Sequence, residues 1–223
     1  MDILLYIFAI AIMLVAQSNV NNAYRRYRTI RARCNYTGEE IARIILDNNG
    51  LHDVYVGCSQ NGVLSDHYDP KNKVVNLSPE VFNGRSIASV AVAAHECGHA
   101  IQHSTKYHFL TFRNYILPLA IVSSNFGWTA IMIGFMAAYN PLITIGIVML
   151  IIIASFQLMT LPVELDASKR ALEILEKDFL DYDEVDDAEK MLQAAAFTYI
   201  ASLISSVVNI LRILIIRNRN KND

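Results

Sequence analysis

The chain has 223 residues, 53% hydrophobic and 18% charged, with a mean hydropathy of +0.29 and a formal net charge of −2. That is too apolar for an ordinary soluble domain and too charged for a chain made of spans alone, so a mixed membrane and soluble architecture is expected. The near-neutral charge, without a long basic stripe, excludes the footprint of a nucleic-acid binder; three cysteines, Cys34, Cys58 and Cys97, match neither a disulfide framework nor a cysteine zinc knuckle and point to reduced thiols in a cytosolic compartment.

Residues 3–16 form an apolar segment with Met1-Asp2 before it and Arg25, Arg26, Arg28, Arg31 and Arg33 after it. A secretory signal carries its positive charge on the N-terminal side. Here the positive flank is C-terminal, which predicts a membrane anchor with its N-terminus outside and the arginines in the cytoplasm. Thr37-Gly38-Glu39-Glu40 then reads as a capping box, with Ile41, Ile44 and Ile45 at helical spacing and Asn49-Gly50 as the stop, predicting a helix over 38–49. Two strand-like runs, 62–68 and 73–77, flank the turn signal Asp69-Pro70-Lys71-Asn72 and predict a β-hairpin. Ser78-Pro79-Glu80 opens a short helical turn closed by Asn83-Gly84, and Ser86 can cap a longer helix running to about His103.

From Asn114 to Val163 there is no charged residue, and Tyr139-Asn140-Pro141 interrupts the run. Each arm, 115–138 and 142–161, approaches the roughly 20 apolar residues needed to cross a bilayer, which predicts a transmembrane hairpin with Asn-Pro as its turn. Two crossings return the chain to the side it left. A last apolar segment, 193–216, is long enough to span, with Arg212 snorkelling to an interface. If it crosses, Arg217, Arg219 and Lys221 emerge outside against the charge rule; if it lies along the membrane they stay inside, and the sequence leaves both open. The expected organisation is therefore an anchor at 1–22, a first catalytic portion at 23–113, the hairpin at 114–162, a second catalytic portion at 163–192, and a membrane helix with its tail at 193–223. The fold class reads as mainly α: a multi-span helical membrane protein with a zincin-like cytosolic α+β region carrying a small β-hairpin.

The chemistry sits at His95-Glu96-Cys97-Gly98-His99. On a helix, His95 and His99 are one turn apart and project from one face, so two imidazoles can close on one ion while Glu96 reaches a water beside it. Small neighbours, Gly98 and Ala100, allow another element to approach closely. A catalytic zinc takes three protein ligands and keeps one position for water, so a third ligand is required. A further histidine ten residues past His95 is absent, since that position is Thr105. His103 lies one more turn along the same face, and Glu164 is the first charged residue after the hairpin, at the head of a helical stretch. Glu164 is the better placed, because two crossings bring it back to the side of the histidines.

Asp66-His67-Tyr68-Asp69-Pro70, the run from Ser86 through His95-Glu96-Cys97-Gly98-His99 to His103, and Pro162-Val163-Glu164-Leu165-Asp166-Ala167-Ser168 together resemble the YugP-like bacterial membrane zinc metallopeptidases. The resemblance covers nearly the whole chain and is most specific around the two ligand motifs. It is similar in plan to the HtpX-like membrane proteases, which implies His95, His99 and Glu164 as zinc ligands. The HtpX-like pattern has an aspartate four residues after the ligand glutamate, where this chain has Ser168, with Asp166 two earlier. Either of these is a candidate to orient the histidines.

The expected activity is zinc-dependent hydrolysis of peptide bonds in proteins at or near the cytoplasmic membrane face, with Zn2+ activating a water and Glu96 as general base. Tyr199, Tyr68 and His67 are candidate donors to the developing oxyanion. The strand at 73–77 is a candidate to pair with an extended substrate segment. Expected partners are a protein or peptide substrate and the lipid bilayer, with no nucleic acid; a homo-oligomer or a regulatory membrane partner is compatible with the sequence. The rival class is a non-enzymatic scaffold or sensor stabilised by zinc, against which Glu96 speaks, since a structural site has no use for a free carboxylate beside its ligands. A transporter is disfavoured because the spans hold no buried ionisable residue to mark a pathway.

Overall fold

The computed structural model describes residues 2–60, 62 and 65–222. In chain order these form α1 (Asp2–Tyr27), α2 (Gly38–Asn48), β1 (Tyr55–Cys58), β2 (His67–Asp69), β3 (Val74–Leu77), α3 (Pro79–Asn83), α4 (Ile87–Ser104), α5 (His108–Met136), α6 (Asn140–Asp178) and α7 (Tyr182–Asn222). Four of these helices, α1, α5, α6 and α7, are long and apolar enough to cross a membrane. The chain divides into two compact units: one of Met1–Gln17, His108–Pro162 and Phe197–Asp223, the other of Ser18–Tyr107 and Val163–Ala196.

The described residues of the first unit are helical apart from one reversal. α5 and α6 reverse at residues 137–139, where Ala138 takes a left-handed conformation (φ 51°) and Tyr139 N donates to Gly134 O at 2.9 Å. The reversal thus comes before Asn140-Pro141, which instead open α6, because proline's missing N–H costs nothing in a first helical turn. The two helices then pack backbone to backbone: a Cβ on Gly146 would lie 2.9 Å from Gly127 O. α7 joins them through Ile213, which clusters with Ile131, Ile143, Ile147 and Leu150. Arg212 stacks over the Tyr6 ring at 4.6 Å, so the late part of α7 lies beside the early part of α1. The last apolar segment is therefore part of one continuous 41-residue helix packed along the bundle.

The second unit holds a three-stranded sheet in the order β1-β3-β2, with β1 parallel and β2 antiparallel to β3. The predicted hairpin is present as β2 and β3, its turn held by Asp69 Oδ1, which accepts from Lys71 N and Asn72 N. Its first strand is shorter than 62–68, starting at His67, and Val63 and Leu64 lie outside the described residues. β1 is an addition: Tyr-Val-Gly-Cys is too short and too little alternating to announce a strand, and it forms because β3 offers a partner. That pairing also corrects the expected substrate strand. β3 is central and bonded on both sides, so its ladder groups are taken, and the sheet edges are β1 and β2.

α2 carries the capping box as expected: Thr37 Oγ1 accepts from Glu40 N at 3.1 Å and Glu40 Oε2 accepts from Thr37 N at 2.7 Å. Its buried Ile41, Ala42, Ile45 and Leu46 face α4, whose Cys97 Sγ donates to Ala42 O. α6 does not stop at the end of its apolar run but continues through Pro162 to Asp178, and Ala171 and Leu175 join Ala188, Met191 and Leu192 of α7 in the same core. Arg33 closes this unit, bonding Asp181 and Asp183 at the turn between α6 and α7 while its backbone N–H donates to Glu184 Oε1.

Candidate metal centre

α4 starts where the Ser86 hydroxyl accepts from Ser89 N at 3.1 Å. Val90, Ala91, Ala93, Ala94, Cys97 and Ala100 are all buried, so the helix is enclosed along the stretch that carries the motif. His95 and His99, one turn apart, hold their rings 4.7 Å apart at 83° to one another. Beside them the backbone of α6 comes very close: a Cβ on Gly98 would lie 2.6 Å from Ala167 O. Only glycine permits that approach, and one turn earlier on α6 it delivers Glu164. Glu164 Oε2 lies 3.4 Å from His95 Nε2 and 3.5 Å from His99 Nε2.

One ligand-type atom from each of the three residues lies within 4.8 Å of the others. The fit to zinc can be tested on the donors alone. A tetrahedral ion with bonds of about 2.0–2.1 Å sets its ligand atoms about 3.3–3.4 Å apart. The two N···O separations, 3.4 and 3.5 Å, match that edge. Two imidazole nitrogens and one carboxylate oxygen, with side chains only 16%, 14% and 7% exposed, are also the donor types a catalytic zinc takes. His95, His99 and Glu164 therefore fit a zinc ion as a three-donor set.

Electrostatics draw these three groups together. Burial pushes the Glu164 carboxyl up, but the His95 and His99 imidazoles facing it outweigh this and hold the group well below the usual carboxylate range. Burial pulls the His99 imidazole down, and the facing Glu164 carboxylate overcomes this and leaves it raised. Glu96, only 8% exposed, stands outside the donor triad; burial pushes its carboxyl up.

Each histidine is also held from behind. Ser168 Oγ lies 3.1 Å from His95 Nδ1, and Gln102 Oε1 lies 3.1 Å from His99 Nδ1. Asp166 reaches His99 only indirectly: its Oδ2 accepts from Gln102 Nε2 at 2.8 Å and from Arg170 Nε at 2.6 Å. Both residues proposed from sequence to orient the histidines are thus in the network, Ser168 directly and Asp166 through an intermediary. Gln102 was not singled out by sequence. Its signal was a polar amide three residues past His99 on a helix otherwise buried among small apolar residues.

The remaining candidates are not among the three donors. His103 Nδ1 bonds the Tyr68 hydroxyl at 2.9 Å and lies outside the donor group. Tyr68, on β2, is committed to that contact. His67 is exposed, its Nδ1 2.8 Å from Ser65 O and its Nε2 3.3 Å from Asn76 Nδ2. Tyr199 lies on α7 in the helical unit.

A family model described as "Putative neutral zinc metallopeptidase" matches residues 2–218. The chain is 40% identical over 215 residues to "Putative membrane protease YugP" of Bacillus subtilis (strain 168), covering 96% of this chain and 95% of that protein. No solved structure matches.

Proposed function

The chain belongs to the family described as "Putative neutral zinc metallopeptidase", and on that premise we propose that it is a membrane-embedded zinc endopeptidase cutting protein substrates at or near the cytoplasmic membrane face. The observation that carries this reading is the convergence of His95, His99 and Glu164 from α4 and α6, with a second acidic group, Glu96, left outside the donor set. A structural zinc site usually fills all four positions with protein groups; three donors and a neighbouring carboxylate suit catalysis.

When bound, zinc supplies an acidified water and Lewis-acid polarisation of a carbonyl. His95 and His99 present Nε2 to it, and Glu164 presents Oε2. Ser168 and Gln102 hold the ring orientations from the Nδ1 side. The Glu96 carboxylate accepts the proton of the attacking water and then returns it to the nitrogen of the leaving amine, so that the amine departs neutral. Burial of Glu96 keeps bulk water from taking that proton in between. The cytoplasmic placement is supported by Arg25, Arg26, Arg28, Arg31 and Arg33 after the first span.

Glu96→Gln tests this reading, because it preserves size and removes the base. Zinc content and fold should survive, while turnover of a peptide or unfolded membrane-protein substrate should fall by about 10²-fold to 10⁴-fold. Cleavage at the wild-type rate with zinc bound would make the scaffold reading the leading one.

A further inference from the structure

We infer that Gln102 is the positioning residue that fixes the tautomer of His99, placing the proton on Nδ1 and leaving the Nε2 lone pair for the metal. This rests on the reading of His95, His99 and Glu164 as the zinc ligands.

The argument begins with burial. The Gln102 side chain is wholly enclosed, so each of its polar groups must find a partner inside the protein or cost the fold dearly. Nε2 donates to Val163 O at 2.7 Å and to Asp166 Oδ2 at 2.8 Å, and Oε1 sits 3.1 Å from His99 Nδ1. The two ends of a side-chain amide have nearly the same shape, so its orientation has to be decided from its neighbours. Here the neighbours leave no choice. Val163 offers a backbone carbonyl, which can only accept, and Asp166 offers a carboxylate oxygen that already accepts from Arg170 Nε at 2.6 Å. An amide turned the other way would press its oxygen against both acceptors. The NH2 therefore faces α6, and the oxygen faces the imidazole.

An amide oxygen cannot donate, so the hydrogen bond to His99 requires a proton on Nδ1. In the neutral ring the lone pair is then on Nε2, the atom 3.5 Å from Glu164 Oε2. The same amide grips Val163 and Asp166, the residues on either side of Glu164 along α6. One side chain thus sets both the metal-facing nitrogen of one ligand and the position of the helix that supplies another. Ser168 plays no equivalent part at His95, because a hydroxyl either donates or accepts and leaves the tautomer undecided.

The test uses the full chain purified in detergent, with zinc affinity measured by competition against a chromophoric chelator and the site geometry read from the visible bands of the cobalt form. Gln102→Met keeps the length and removes every hydrogen bond; its zinc affinity should fall about 10-fold to 100-fold, with shifted cobalt bands. In the zinc-loaded protein the His99 Nδ1–H proton, released from the amide oxygen, should also exchange faster with water in Gln102→Met than in wild type. A purely mechanical brace would leave that exchange rate unchanged. Unchanged affinity and cobalt bands in Gln102→Met would overturn the inference while leaving the zinc site itself standing. Should Gln102→Met not fold, the ring ¹⁵N–¹H correlations of His99 in the zinc-loaded wild type decide: the Nδ1–H tautomer is expected, and the Nε2–H form overturns it. Wild type that takes up no zinc would instead remove the functional reading on which the inference rests.

Discussion

Replacing Gly98 by alanine pits two effects of similar size against each other, and the structure says which prevails. In an isolated helix, alanine is favoured over glycine by about 1 kcal/mol. At this position the added Cβ would lie 2.6 Å from Ala167 O and 3.2 Å from Ala167 C and Cα, against an ordinary contact of 3.4 Å or more. The obstacle is backbone and cannot rotate aside, so α4 and α6 must part locally by about 0.8 Å. Overpacking of this kind costs about 1–3 kcal/mol, which cancels or exceeds the propensity gain. The larger consequence falls on the metal. Glu164 lies one turn from Ala167 on the same helix, and ligand distances tolerate only about 0.2 Å of error. Gly98→Ala should therefore lower zinc affinity by about 10-fold to 100-fold, with a small change in the stability of the metal-free protein. Chelator competition and thermal unfolding with and without chelator measure the two quantities separately. Wild-type zinc affinity, or a metal-free protein about 1 kcal/mol more stable as helix propensity alone dictates, would refute the packing argument.

Glu164→Ala should lose most of the bound zinc, since two histidines alone leave the ion too few protein donors, whereas His103→Ala should retain it because His103 is engaged with Tyr68; equal zinc content by metal analysis in wild type and Glu164→Ala would sink the ligand assignment. Cys58 is exposed and on the side proposed to face the cytoplasm, so a membrane-impermeant thiol reagent should miss it in intact cells and label a cysteine introduced at Asn140. The opposite labelling would mean an inverted topology and an extracytoplasmic substrate pool.

Local chemistry was legible from the chain. Thr37 with Glu40 announced the start of α2, and Asp69-Pro70-Lys71-Asn72 announced the turn between β2 and β3, because caps and turns are made by residues a few positions apart. The two histidines belonged to one face by helical period alone. The apolar runs fixed which helices are able to span, since that property depends on length and composition. Glu164 stood out as the first charge after the hairpin, on the side to which two crossings return the chain, and the family resemblance pointed to the same residue.

What the chain alone left open were relations between distant segments. A four-residue strand such as β1 exists only because β3 is there to bond it, and the same pairing removed β3 from the candidates for substrate binding. Pro141 looked like a turn residue, and it became the start of α6 once the reversal was absorbed by Ala138. Gln102 looked like one more polar residue on a helix. Its partners, His99, Val163 and Asp166, include two that lie beyond a long apolar hairpin in sequence, and only the close packing of α4 on α6 at Gly98 brings them within hydrogen-bonding distance. Helical period and composition are local properties, so sequence sufficed for the faces and spans; hydrogen bonds and metal coordination act over about 2–3 Å, so their geometry was decided by tertiary packing.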